Sequence, residues 1–332
     1  MQRIEAHYLR GVRECKKAED LHGYLQSAIE LEHATIPTYL YALYSIKPGS
    51  NEQISKIIRS VVVEEMLHMT LASNVMNALG GHPSIDDPTF VPQFPGKLPM
   101  SVDDGLVVHL KPLSIEQVRD TFMAIEEPEA PHQFPAENAA VVSGQSFATI
   151  GAFYSAIIEK IRELGDSAFV GDPALEVVPD LWFRGEIAQV TDVRSSVAAL
   201  ELIVEQGEGV AGGPMDPACD VAHYYRFQEI VEGRKLVRTA KPPHFAFTGD
   251  PVPFCDDGVY SFVNNPSTQN FERGSRGRLW ADRANLSYSN LLRRLHRVFN
   301  GHPQEIDRAM GLMFELRLLV NQMAEFNVNA KG

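Results

Sequence analysis

The sequence predicts an all-α protein, a four-helix bundle with a long crossover between its second and third helices and an extra helical hairpin at the C-terminal end. Three observations predict it. Residues 20–46 and 51–79 carry apolar side chains three and four apart, the spacing that puts them on one face of a helix. Each stripe holds an acid at its middle. A proline-rich stretch, 82–113, then separates this pair from further helical segments, with only one short alternating run, Leu106 to Leu110.

In the first helix Leu25, Ile29, Ile36, Tyr39 and Leu43 make the stripe and Glu32 interrupts it. Pro37 lies within this helix and removes the bond its N–H would give to the carbonyl of His33, so a kink is expected one turn from Glu32. Lys47-Pro-Gly-Ser ends it. In the second helix Ile54, Ile58, Val61, Ala72, Met76 and Leu79 flank Glu65, with His68 beside it. The short connection makes the two antiparallel neighbours. Residues 82–142 form the crossover, including a small hairpin and a helix from Ser114 to Glu126 that Ser114 caps. Further helices are expected over 143–164, 185–206 and 218–236. The segment 241–278 is turn-rich, and 281–299 and 303–326 form the hairpin. The expected parts are therefore the bundle, 1–240, and a loop-rich segment with the hairpin packed on it, 241–332.

An acid in the dry seam of a helix is rare unless it is paired or binds a metal. Dinuclear carboxylate sites in four-helix bundles take one Glu from each of two helices and Glu-x-x-His from each of the others. Glu32 fits the single acid, and Glu65-Met-Leu-His68 the paired motif. A buried hydrogen-bonded network is the competing reading. In the third helix Glu159 shares a face of small residues (Ala148, Ala152, Ser155, Ala156) opposite the bulky stripe, which makes it either a ligand or a solvated acid. In the fourth, Glu208 falls close to the apolar stripe and Glu201 and Glu205 on its edge, with no His where Glu-x-x-His would put one. His223, beyond a glycine-rich insertion, is the candidate imidazole, paired with Glu205, Glu208 or Asp220. Glu64 is read as solvated or as a support behind a ligand, His33 as a core or supporting residue, and Glu315 as a salt-bridge partner. Thr35, Thr38, Tyr39 and Tyr41 form a candidate substrate wall.

Composition narrows the function. Of 332 residues 44% are hydrophobic and 22% charged, with 43 acids against 30 Lys and Arg and a net charge of −13, which argues against a nucleic-acid partner. No long apolar run predicts a membrane span, and the start, MQRIEAHYLRGVRECKK, has no signal-peptide core. Three scattered cysteines fit reduced thiols in a cytoplasmic protein. No nucleotide-binding, hydrolase-elbow or CxxC motif is present. The expected partner is a small-molecule substrate, and a homodimer is the assembly left open.

The blocks LEHATIPTYLYALYSI, VVVEEMLHMTLASNVMNALGG, TIGAFYSAI, VEQGEG and AHYYRF resemble the ferritin-like domain of the iminophenyl-pyruvate dimer synthase family, over roughly residues 18–236. That resemblance implies a ferritin-like bundle, a metal centre on Glu32, Glu65, His68 and the later Glu and His residues, and coupling of imines derived from aromatic amino acids. Ala152 stands where relatives often carry an acid. The combined expectation is an oxidoreductase with two iron ions, manganese or zinc being alternatives. Glu65 and Glu208 would bridge, Glu32 and Glu159 cap, and His68 and His223 donate nitrogen. A non-catalytic iron-binding or storage protein is the alternative.

Overall fold

The structure, a computed structural model, describes residues 6–101, 105–128, 150–179, 182–209, 213–216, 219–241 and 244–327. They form a mostly helical protein of the expected class. The helices are α1 (Ala6–Glu14), α2 (Ala18–Tyr44), α3 (Glu52–Ala78), α4 (residues 115–125), α5 (Ile150–Leu164), α6 (Val193–Glu208), α7 (His223–Glu232), α8 (Arg276–Phe299) and α9 (Ile306–Asn327). The bundle is α2, α3, α5 and α6: α2 packs along α3, α5 along α6, and the pairs meet through α2 with α5 and α3 with α6. Leu25, Ile29, Ile58, Val61, Leu200 and Ile203 fill the seam. Burying each such side chain contributes roughly 1.5–3 kcal/mol, which outweighs the bond lost at Pro37, and α2 runs unbroken through it.

Several elements differ from the sequence expectation. Ala6–Glu14, where no helix is predicted from the sequence, forms α1 and packs on α5. The expected crossover hairpin reduces to a single bridge, Gly96 to Val108. α6 starts eight residues late because Asp192 caps it, accepting from the Ser195 N–H at 2.7 Å. α7 starts at His223, two residues after Val221, which forms an isolated bridge with Met215. Residues 143–149 of the expected third helix, and Ala218, lie outside the described residues. β1 (Val237–Arg238) pairs antiparallel with β2 (Phe245–Ala246) where the turn-rich region begins. α8 and α9 pack on each other as the predicted hairpin and reach back to α3 and α2.

Ser114 caps α4 as predicted, accepting from the Gln117 N–H at 3.0 Å. Within α4, Val118–Phe122 is a π segment. A π turn shifts everything after it by about one residue, or 100° of rotation, relative to an α-helix. Glu126, the residue that ends α4, faces Glu65 and His223. Tyr39 packs on Phe122 and Phe227 with ring centroids 4.7 and 5.1 Å away. Its hydroxyl donates to Glu126 Oε1 at 2.5 Å. This aromatic cluster fixes Glu126 from behind.

Glu176, away from the bundle centre, has a stability consequence. Burial raises its carboxyl from 4.5 to about 7, against the lowering effect of the Val190 N–H, which it accepts at 2.6 Å. Between those values the unfolded chain has given up the proton while the folded chain keeps it, so stability falls as pH rises through that window. Glu176→Gln is expected to stabilise the protein by about 1–3 kcal/mol above pH 7. The gain should vanish near pH 4, as read by urea unfolding at both pH values.

Candidate metal centre

Two Glu/His triads sit in the bundle and share one residue. Glu32, Glu65 and His68 bring ligand atoms within 4.8 Å of one another, and so do Glu65, Glu126 and His223. α2 supplies Glu32, α3 supplies Glu65 and His68 one turn apart, the end of α4 supplies Glu126 and the first residue of α7 supplies His223. Glu32, Glu65, His68 and His223 are buried, and the Glu126 side chain is 10% exposed.

Each carboxylate is held by a hydroxyl. Tyr154 on α5 donates to Glu32 Oε1 at 2.5 Å, Thr35 to Glu65 Oε2 at 3.0 Å, and Tyr39 to Glu126. Burial raises both phenols well above their usual value, so they remain donors. The histidines are held from outside. His223 Nε2 lies 2.9 Å from Glu64 Oε2, and Glu64 accepts from Arg226 Nη1 at 2.7 Å. His68 Nε2 lies 2.9 Å from Gln206 Oε1, while the Gln206 amide nitrogen turns to Glu186 at 3.3 Å. Both outer partners are acceptors, so both Nε2 atoms carry the proton.

The Nδ1 lone pairs then face inward. His68 Nδ1 stands 3.3 Å from Glu32 Oε2, and His223 Nδ1 stands 2.9 Å from Glu65 Oε1 and 3.5 Å from Glu126 Oε2. His223 Nδ1 is buried and makes no hydrogen bond of acceptable geometry. An imidazole lone pair facing carboxylate oxygens is repulsive unless a proton or a metal ion lies between. Among the described residues, four carboxylates (Glu32, Glu64, Glu65, Glu126) face one fixed cation, Arg226. The same demand for positive charge appears in the ionisation of the residues. Burial opposes charge on His68 and His223, yet the adjoining carboxylates outweigh it and raise both, His223 strongly. Burial, then the neighbouring Glu126 charge, lifts Glu65 to about 7. Burial would also raise Glu32 and Glu64, but His68 pulls Glu32 down and His223 pulls Glu64 to about 2. Two cations, one per triad, with Glu65 between them, fit this donor set.

The structure places part of the expected ligand residues away from the two triads. Glu159 and Glu205 are exposed and line an open groove between α5 and α6 with Glu201. The reason is rotation: the bulky face of α5 is the buried one, which points Tyr154 inward and Glu159 out. α6 likewise turns Ile203, Val204 and Gln206 toward the site and Glu205 away from it. The Glu208 side chain lies outside the described residues. Asp220 is exposed, and His223 takes Glu65, Glu126 and Glu64 as its partners instead. Glu64 is the support for His223. His33 bonds Tyr288 at 2.7 Å in the core, and Glu315 accepts from Ser287 at 3.2 Å. Of the expected hydroxyl wall, Thr35 lines the central cavity, whereas Thr38 bonds the His109 carbonyl and Tyr41 the Val263 carbonyl.

Glu126 is the residue sequence reasoning missed. Its signal was present: Val118, Phe122 and Glu126 are spaced by four, and the first two are buried. A cavity of about 40 Å³ adjoins the first triad, lined by Leu31, Ile125, Ile150, Tyr154, Ile203 and Val204 together with Glu32, Glu65 and His68. Because a cavity needs only about 10–15 Å³ to hold a water, two or three waters or one diatomic molecule fit.

The Glu64–Arg226 pair yields a prediction. Glu64→Gln keeps an acceptor for His223 but removes its charge, and is expected to weaken metal binding at the Glu126/His223 position about 10-fold. Competition with a chelator of known affinity would reveal this, and the His68 position should be unaffected.

The fold and these triads define a helical-bundle protein with a paired carboxylate–histidine centre. The chain belongs to the ferritin-like family, whose model matches residues 25–232. A ferritin-like protein from Caulobacter vibrioides is 25% identical over 92% of this chain and 94% of that one, with a TM-score of 0.60. No curated protein matches. These comparisons give the broad family and not the imine-coupling branch that the sequence blocks resemble.

Proposed function

We propose that this chain is a non-haem di-metal oxidoreductase, with iron as the first candidate metal, acting on a small organic molecule. The observation that carries the reading is the pair of triads sharing Glu65 beside a small, mostly apolar cavity. Carboxylate and imidazole donors suit iron or manganese. When bound, such ions supply electron transfer to dioxygen or peroxide. The protein's part is positional. Tyr154, Thr35 and Tyr39 aim the carboxylates, Gln206 and Glu64 hold the imidazoles in one tautomer, and the aliphatic lining keeps bulk water out.

The cavity takes a small oxidant, while a molecule the size of an aromatic imine exceeds it and would meet the centre at its opening. An amino-acid-derived imine is the candidate substrate on the resemblance of the sequence blocks. The test is metal analysis with sizing, followed by oxygen consumption on adding candidate imines. About two transition-metal ions per chain, a small oligomer and substrate-dependent oxygen uptake are expected. A many-subunit shell accumulating iron far beyond two ions per chain would instead establish storage.

A further inference from the structure

The N-terminal end of α3 carries a second feature, distant from the metal centre. Thirteen residues separate Glu52 from Glu65, about 20 Å along a helix. The chain enters α3 through Asn51, held at φ 47. Asn51 does not cap the helix, because its amide is spent on Cys255: Nδ2 donates to the carbonyl at 2.9 Å and Oδ1 accepts from the N–H at 2.7 Å. The first N–H groups of this 27-residue helix therefore lack a side-chain acceptor, and a helix N-terminus so exposed favours anions.

A groove of about 340 Å³ opens at this point, lined by Leu43, Tyr44, Ile46, Lys56, Arg59 and Arg317 among others. Three cations, Lys56, Arg59 and Arg317, line one groove, and among the described residues none has a carboxylate within ion-pair distance. Lys47, also on the rim, donates to the Asp257 carbonyl at 2.7 Å, and Glu52 is an acid in the lining. Tyr44 supplies an independent pointer to a ligand. It is only 7% exposed, yet its hydroxyl has no hydrogen-bond partner among the described residues. Arg59 and Arg317 line the same groove as Tyr44, and burial raises its phenol to about 12 against the lowering effect of the two guanidiniums.

We propose that this groove binds the phosphoryl group of a small organic phosphate. Arg59 and Arg317 present planar forks suited to phosphate oxygens. The Tyr44 hydroxyl and the α3 N–H groups complete the donors, and Leu43 and Ile46 offer an apolar wall to the organic part.

Calorimetry at constant ionic strength tests the assignment, with inorganic phosphate and phenyl phosphate as probes. Phenyl phosphate is expected to bind several-fold more tightly than inorganic phosphate. Arg59→Ala with Arg317→Ala should weaken both at least about 10-fold without changing thermal unfolding, and Tyr44→Phe should weaken them less. Glu65→Ala, which disables both metal positions, should leave phosphate binding intact. The proposal is overturned by absence of binding, by equal affinity for the two probes, by an unchanged double variant, or by loss of binding in Glu65→Ala, which would place the anion on the metals.

Discussion

Replacing Glu65 by alanine is expected to strip the protein of nearly all its metal. Glu65 belongs to both triads, so one substitution removes a ligand from each position. It also leaves His223 Nδ1 without its nearest carboxylate, the one 2.9 Å away. Loss of one ligand from a three-residue set weakens binding far more than the 10- to 100-fold typical of a supporting residue. Elemental analysis after dialysis should find about two ions per native chain and close to none in Glu65→Ala. Glu65→Gln keeps the volume and a hydrogen-bond acceptor for Thr35, and should lose metal equally while unfolding like the native protein. Retention of native metal content by either variant would place the ions elsewhere.

Glu126→Ala has the second largest expected effect, and a different signature. Glu126 serves the His223 triad only, whereas Glu32 and His68 form the other with Glu65. The variant should therefore lose about half its metal and keep the His68 position. Because Tyr39 would lose the acceptor for a fully buried hydroxyl, a cost of about 1–3 kcal/mol in stability is expected. Tyr39→Phe in the same background should recover part of that stability without restoring metal. A parallel spectroscopic titration of native protein should show two binding phases, and that of Glu126→Ala one. Complete metal loss, or none, would contradict the division of ligands between triads.

The fold was legible because its long helices announce themselves. The stripes around Glu32 and Glu65 have the period of a buried helix face, and both acids lie where that period puts them. The same logic gave the direction of the α2–α3 pair and the Ser114 cap. It failed where a rotation or a turn decides the outcome. Glu159 and Glu205 sit on helices whose stripes are short, and a third of a turn separates an inward acid from a solvated one. Glu126 follows the buried Val118 and Phe122 at a spacing of four, but in so short a helix that spacing does not by itself single out an inward acid. His223 was found by residue type, but its partners come from α3 and α4, distant in sequence. The support from Gln206 and Glu64 is likewise a product of packing, invisible until the helices are placed.

The most direct measurement is anomalous diffraction from a crystal of the protein as purified, with data on both sides of the iron edge. The account predicts two peaks flanking the Glu65 carboxylate, one beside Glu32 and His68 and the other beside Glu126 and His223. A bundle with no anomalous peak between these side chains, or with its metal in the groove of Glu159, Glu201 and Glu205, would contradict it.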